Sequence, residues 1–196
     1  MKSKAKFFFV VVALIAISLM LPLGAQAAKP IVIGAPLSTA FLYGWDAERA
    51  MKLAVKEIND AGGVKVGNEK RPFKLDVIDT RDLEPGVPVS EALLAVDKLI
   101  LEKKADFIVG GPVRSEAALA AMALIAKHKK VSILTTGALS PKYHKLVEKN
   151  PEKFKYLFRI SGEAVWMVTG ELIPCMVDIG KRFKLNKIGR ASCRER

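Results

Sequence analysis

Arg114 and Ser115 are the residues whose types and placement most suggest chemistry. They follow the apolar run Phe107-Ile108-Val109 and the break Gly110-Gly111-Pro112, and they open a long Ala-rich segment. A guanidinium can hold a carboxylate through two parallel N–H donors. A serine at a helix start either touches a ligand or caps the helix, and both readings stay open here. The first N–H groups of such a helix are unpaired and attract anions. The chemistry expected is therefore capture of an anion or carboxylate. The alternative for Arg114 is a side chain turned to solvent, with a neighbouring loop residue making the contact.

Nothing else in the chain suggests bond-breaking. No GxGxxG, Walker A, GxSxG or HExxH pattern occurs, so neither an enzyme nor a nucleotide cofactor is expected. His128 and His144 lie on polar segments beside lysines, without partners at ligand spacing, and no metal site is expected. Asp79, Asp82 and Glu84 are expected to solvate a loop and cap the helix after it.

The elements that must position Arg114 and Ser115 alternate. Ile31–Gly34 is a short apolar strand, followed by a loop of Pro36, Ser38, Thr39 and Ala40. From Trp45 the period becomes helical, with Ala47, Met51, Ala54, Val55 and Ile58 on one face and Glu48, Lys52, Lys56 and Asn59 on the other. Gly62-Gly63 ends that helix. Residues 64–72 read as a hairpin around Gly67-Asn68, and Phe73–Val77 as a strand. A helix carries Val89, Leu93, Val96 and Ile100 on its apolar face. Phe107–Val109 is a strand, Ser115–Lys127 a buried helix, and Val131–Leu134 a further strand with the exit loop Thr135–Pro141. Lys142–Lys149 is a polar helix, Tyr156–Ile160 a strand, and Val165–Lys181 a helix kinked at Pro174, with a strand starting at Lys184. This order predicts an α/β fold with a doubly wound parallel sheet. Right-handed crossovers then bring the loops after the strands at 31, 107 and 131 to one edge, facing one cleft.

The charge is +12, with 51% hydrophobic residues. Lys2, Lys4 and Lys6 contribute +3 and the last nine residues +2, so residues 28–187 carry +7. Lysines such as Lys52, Lys56, Lys98, Lys127 and Lys149 are scattered and form no tract with interleaved aromatics, which argues against nucleic acid as a partner. Cys175 and Cys193 do not make a disulfide framework. Residues 1–27 read as a cleaved signal peptide. Lys2, Lys4 and Lys6 precede the apolar run Phe7–Leu21, and Ala25-Gln26-Ala27 makes an A-x-A site. That run of 15 residues is short of the roughly 20 that span a bilayer.

The segments IVIGAPLS, YGWDAERAMKLAVKEINDAGGV, FKLDVIDTRD, IVGGPVRSEAALA, SILTTGALSP and YLFRIS together resemble the type I periplasmic solute-binding proteins, in the branched-chain amino acid branch of the ABC-transporter binding proteins. The resemblance covers Ile31 to about Lys187. It implies two Rossmann-like lobes closing on a small ligand, an amino acid or organic acid, delivered in the periplasm to an ABC permease in the inner membrane. The other role it implies is a ligand-sensing domain of a membrane receptor. It further implies that residues 28–155 form lobe one, and that 156–187 hold a crossing strand and the start of lobe two. Its pocket positions fall on Tyr43, on Arg114 with Ser115, and on Gly137, Ala138 and Leu139. Two of these depart from the amino-acid pattern. Arg114 stands for a small hydroxyl, and Leu139 for a threonine that helps hold an α-amino group. A leucine side chain cannot accept a hydrogen bond, so the ligand expected is a carboxylate without an α-amino group.

Residues 188–196 resemble the translation of a sequencing-adapter oligonucleotide, and the expectation is therefore a truncated form with lobe two only begun. Residues 28–196 alone are then expected to bind weakly, because a half-cleft covers one side of a ligand. N-terminal sequencing of exported protein should begin at Ala28; material that still carries Met1 would refute cleavage.

Overall fold

The computed structural model describes residues 28–162 and 166–185. The proposed leader and the adapter-like tail lie outside these residues. Five parallel strands form the sheet: β1 (Ile31–Leu37), β4 (Phe73–Asp79), β5 (Phe107–Gly110), β6 (Val131–Leu134) and β7 (Leu157–Arg159), in the order β4-β1-β5-β6-β7. Between β1 and β4 the short strands β2 (Val64–Val66) and β3 (Glu69–Arg71) make an antiparallel hairpin. The helices are α1 (Leu42–Asp60), α2 (Val89–Leu101), α3 (Ser115–Lys127), α4 (Lys142–Lys149) and α5 (Pro151–Phe154). After β7 a π-helical segment, Met167–Leu172, runs into α6 (Ile173–Arg182). The doubly wound parallel sheet expected from the alternation is the one observed.

The chain winds from β1 outward to β4, then back across β1 to β5, β6 and β7. Right-handed connections put α1 on one face of the sheet and α2 and α3 on the other. Val96 and Leu99 of α2, Ile108 of β5 and Ala121 and Met122 of α3 are buried together on the second face. The small residues Ala117, Ala118 and Ala121 let α3 lie close against α2. Winding reverses between β1 and β5, and that reversal opens a crevice at the carboxyl ends of the strands.

Several local details differ from expectation, each for a physical reason. β1 runs to Leu37 rather than stopping at Gly34, because Pro36 and Leu37 stay in register with Ile78 and Asp79. A proline interrupts most central strands because it cannot donate. Here β5 pairs only with Ile33 and Gly34, so no ladder bond from residue 36 is needed on that side, and the Pro36 carbonyl accepts the Gly111 N–H. α1 begins three residues before Trp45, which places Tyr43 in its first turn rather than ahead of it. Asn59 does not face solvent. Its side-chain amide donates to the Phe73 carbonyl at 2.8 Å and accepts the Phe73 N–H at 2.7 Å, tying the end of α1 to the start of β4. Pro174 lies just beyond the π-helical turn, where the wider winding accommodates its missing N–H. Phe183 and Lys184 form a turn rather than a strand start, and residues 186–187 lie outside those described.

The largest departure is Asp82. In place of a solvated loop acid, it is 1% exposed. One carboxylate oxygen accepts the hydroxyls of Ser38 and Thr80, and the other accepts the Arg114 N–H at 2.6 Å. Three loops are joined on this carboxylate: those after β1, β4 and β5. Nearby, Asp79 accepts the N–H groups of Thr39 (3.1 Å) and Arg81 (3.0 Å). Arg81 itself sits in the left-handed region at φ 54°.

Asp82→Ala should lower the unfolding free energy in urea by about 2–4 kcal/mol, since it removes the buried acceptor shared by the Ser38 and Thr80 hydroxyls and the Arg114 N–H. A loss under about 0.5 kcal/mol, the ordinary range of surface changes, would refute the staple. Tyr143 supplies a pH test. Burial raises its hydroxyl from 10.0 to about 12, against the opposing pull of Arg159. The folded state thus keeps a proton that the unfolded chain releases from pH 10 upward. The contribution is intact below pH 10 and is lost as pH rises towards 12. Tyr143→Phe should flatten the fall in stability across that window and remove the tyrosinate absorbance that develops near its upper end.

Candidate ligand-binding cleft

A cavity of about 340 Å³ occupies the crevice. Leu37 and Ser38 come to it from β1, and Tyr43, Gly44 and Ala47 from α1. Val113 enters from the β5 exit, and Thr135, Thr136, Gly137 and Leu139 from the β6 exit. Ser161, Gly162 and Met167 close the side beyond β7. The three loops expected to face one cleft do so, and the exit of β7 adds a fourth wall.

Three glycines make this packing possible. Gly44 lies in the first turn of α1, where an added Cβ would sit 2.1 Å from the Ser38 carbonyl oxygen. Only glycine lets the helix start close over the β1 loop. Gly110 and Gly111 hold φ of 103° and 135°, and a Cβ on Gly111 would meet Leu134 at 2.6 Å. This pair turns the chain sharply from β5 into the cleft wall without displacing β6.

The structure brings Tyr43, Gly137 and Leu139 together at the cavity. Tyr43 is 70% exposed, so its ring forms an outer wall rather than a buried floor. Ala138 is buried beneath the loop, in the core, with its carbonyl turned to Arg159. Arg114 and Ser115 are not among the residues at the cavity. The Arg114 guanidinium donates to the Val87 carbonyl at 3.1 Å and pairs with Glu116 at 2.9 Å. Its role near the cleft is carried by the backbone, whose N–H reaches Asp82. Arg114 is the N-cap of α3, and no side chain of its own caps the helix. Ser115 is the first helical residue. From this loop, the side chain that reaches the cavity is Val113.

Sequence reasoning did not single out Thr135, Thr136, Ser161 or Arg159. Thr136 donates its hydroxyl to the Pro112 carbonyl at 3.0 Å, tying the β6 loop to the β5 loop. Arg159, on β7, donates to the carbonyls of Ala138 (2.6 Å), Ser140 (3.0 Å) and Gly162, and to the Ser161 hydroxyl at 3.2 Å. Its guanidinium carbon also lies 5.9 Å from the Tyr143 ring centre. The only available signals were a charge within the otherwise apolar strand LFR and the run of small and hydroxyl residues after Leu134.

No charged side chain lies among the described residues lining the cavity. Its polar groups are hydroxyls and backbone amides, and the rest is apolar. Such a wall offers donors to a carboxylate and apolar contact to the body of a small molecule.

Comparisons with known proteins agree with this architecture. No curated protein matches the chain. Among solved structures, a protein of Silicibacter pomeroyi provisionally named a branched-chain amino acid ABC transporter superposes with a TM-score of 0.63. The two are 20% identical, over 83% of this chain and 38% of that one. A solute-binding protein of an ABC transporter from R. palustris, solved with 4-hydroxybenzoate, gives 0.53 at 17% identity, over 79% and 36%. The leucine-binding protein LivK of Thermotoga maritima gives 0.51 at 19%, over 78% and 37%. These likenesses show the fold, and the chain spans less than two fifths of the length of each. Residues 30–178 match the periplasmic binding protein family, whose members are solute-binding proteins and generally not enzymes. The chain therefore belongs to the periplasmic binding protein family.

Proposed function

We propose that this protein is the substrate-binding component of an ABC importer, capturing in the periplasm a small carboxylate with an apolar or aromatic body and no α-amino group. The observation that carries the ligand class is the uncharged lining that the described residues give the cavity. Hydroxyls and backbone amides can solvate a carboxylate, while Leu37, Val113, Leu139 and Met167 offer contact to hydrocarbon. An α-ammonium would find no anionic side chain among the described residues of these walls. Leu139 projects a branched apolar group where a hydroxyl would serve it. The R. palustris neighbour solved with 4-hydroxybenzoate supports an aromatic acid, and LivK marks the competing amino-acid class.

In this reading residues 28–155 form lobe one, β7 is the first strand to pass between lobes, and the segment from residue 161 begins lobe two. Closure of a second lobe would cover the ligand and present a loaded surface to a permease. The role is binding rather than catalysis. Residues 1–27 would direct export and then be removed.

Thermal-shift screening of the full gene product tests the ligand class. Benzoate or 4-hydroxybenzoate should raise the melting temperature by several degrees, since ligand at a hundredfold excess over Kd adds about 2.7 kcal/mol. Leucine and valine should leave it unchanged. A strong shift with leucine or valine, and none with the aromatic acids, would overturn the reading.

A further inference from the structure

We infer that Arg159 is the positioning residue of the cavity, turning the Ser161 hydroxyl and the Leu139 amide into paired donors for a ligand carboxylate; this rests on the binding role proposed above. Arg159 is not itself among the cavity-lining residues, yet it holds both loops that close that side. Its Nε donates to the Ser161 oxygen. A hydroxyl that accepts on its oxygen keeps its own proton free to donate elsewhere. Ser161 lines the cavity, where that proton can meet a ligand.

Leu139 follows from peptide geometry. Arg159 takes the Ala138 carbonyl at 2.6 Å. The described chain contains no cis peptide bond. In a trans peptide the carbonyl and the next N–H point in opposite directions, so the Leu139 N–H faces away from Arg159, and Leu139 lies on the cavity side. Arg159 also holds the carbonyls of Ser140 and Gly162. By drawing three carbonyls towards itself, the guanidinium clears acceptors from the wall that an anion must approach.

Only a planar fork can serve several acceptors around its edge; a lysine ammonium is a point charge and cannot reach them together. The buried Tyr143 ring beside the guanidinium restricts the side chain to this place. The contacts span two loops and one strand, so the arrangement is local to the cleft rather than to the sheet core.

The test uses the full gene product with Arg159→Gln and Arg159→Lys, read by amide hydrogen exchange and by calorimetric titration with benzoate and its uncharged analogue benzamide. In Arg159→Gln, exchange at Lys142, Tyr143 and Lys145, whose N–H groups bond to Ser140 and Pro141 of the loop, should accelerate about tenfold or more while β1 and β5 stay protected. Benzoate affinity should fall about tenfold, and benzamide affinity much less. Arg159→Lys should recover part of the preference for benzoate but not the loop protection. Unchanged exchange in the loop, or equal loss of protection throughout β1 and β5, would overturn the positioning role. If the unmodified protein binds neither probe, the carboxylate reading fails, while the exchange result still decides whether Arg159 holds the loops.

Discussion

A buried carboxylate holds the cleft together. Asp82 comes from a loop that could have been wholly exposed, and it is covered because its own loop and two other segments need an acceptor at one point. The loops after β1 and β4 offer hydroxyls, and the start of α3 offers a backbone donor. A buried charge without such partners would be strongly unfavourable. With them it is satisfied, and it ties together strands on either side of the winding reversal. The cavity exists because the sheet reverses there, and its rim keeps its shape because Asp82 fixes the loops behind it.

The sheet and helices were legible in the sequence because buried parallel strands are short apolar runs and amphipathic helices repeat every three to four residues. Val131–Leu134 and Ser115–Lys127 follow from those periods, and the hairpin at Gly67 from its Gly-Asn turn. What escaped were contacts between residues far apart in the chain. Ser38 and Asp82 lie 44 positions apart, and Asn59 and Phe73 lie 14 apart. A polar residue in a loop looks the same whether water or a distant hydroxyl satisfies it. Periodicity therefore put Asn59 on a solvent face and Asp82 in a solvated loop.

The site was less legible than the fold for a related reason. Loop residues have no period that tells which way a side chain points. The stretch Gly110–Ser115 was correctly placed at the cleft edge, but its arginine turns back to Val87 and Glu116. The valine before it enters the cavity instead. Similarly, Gly137, Ala138 and Leu139 belong to one loop, yet the middle residue is core and its neighbours are wall. Arg159 sits within a short strand whose neighbours are apolar, and only the three-dimensional closeness of two loop exits reveals what it holds.

The position of β1 has a kinetic consequence. It is the first strand of the sheet in the chain, yet it lies inside the sheet, between β4 and β5. Its residue Ile33 pairs with Phe107, so the sheet cannot close until more than half the chain is present. Every strand pairing in this sheet is parallel and joins distant segments, a topology that folds slowly because long loops must close before contacts form. If the leader proposed above directs export of the unfolded chain, such slowness would keep the newly made chain open while export begins.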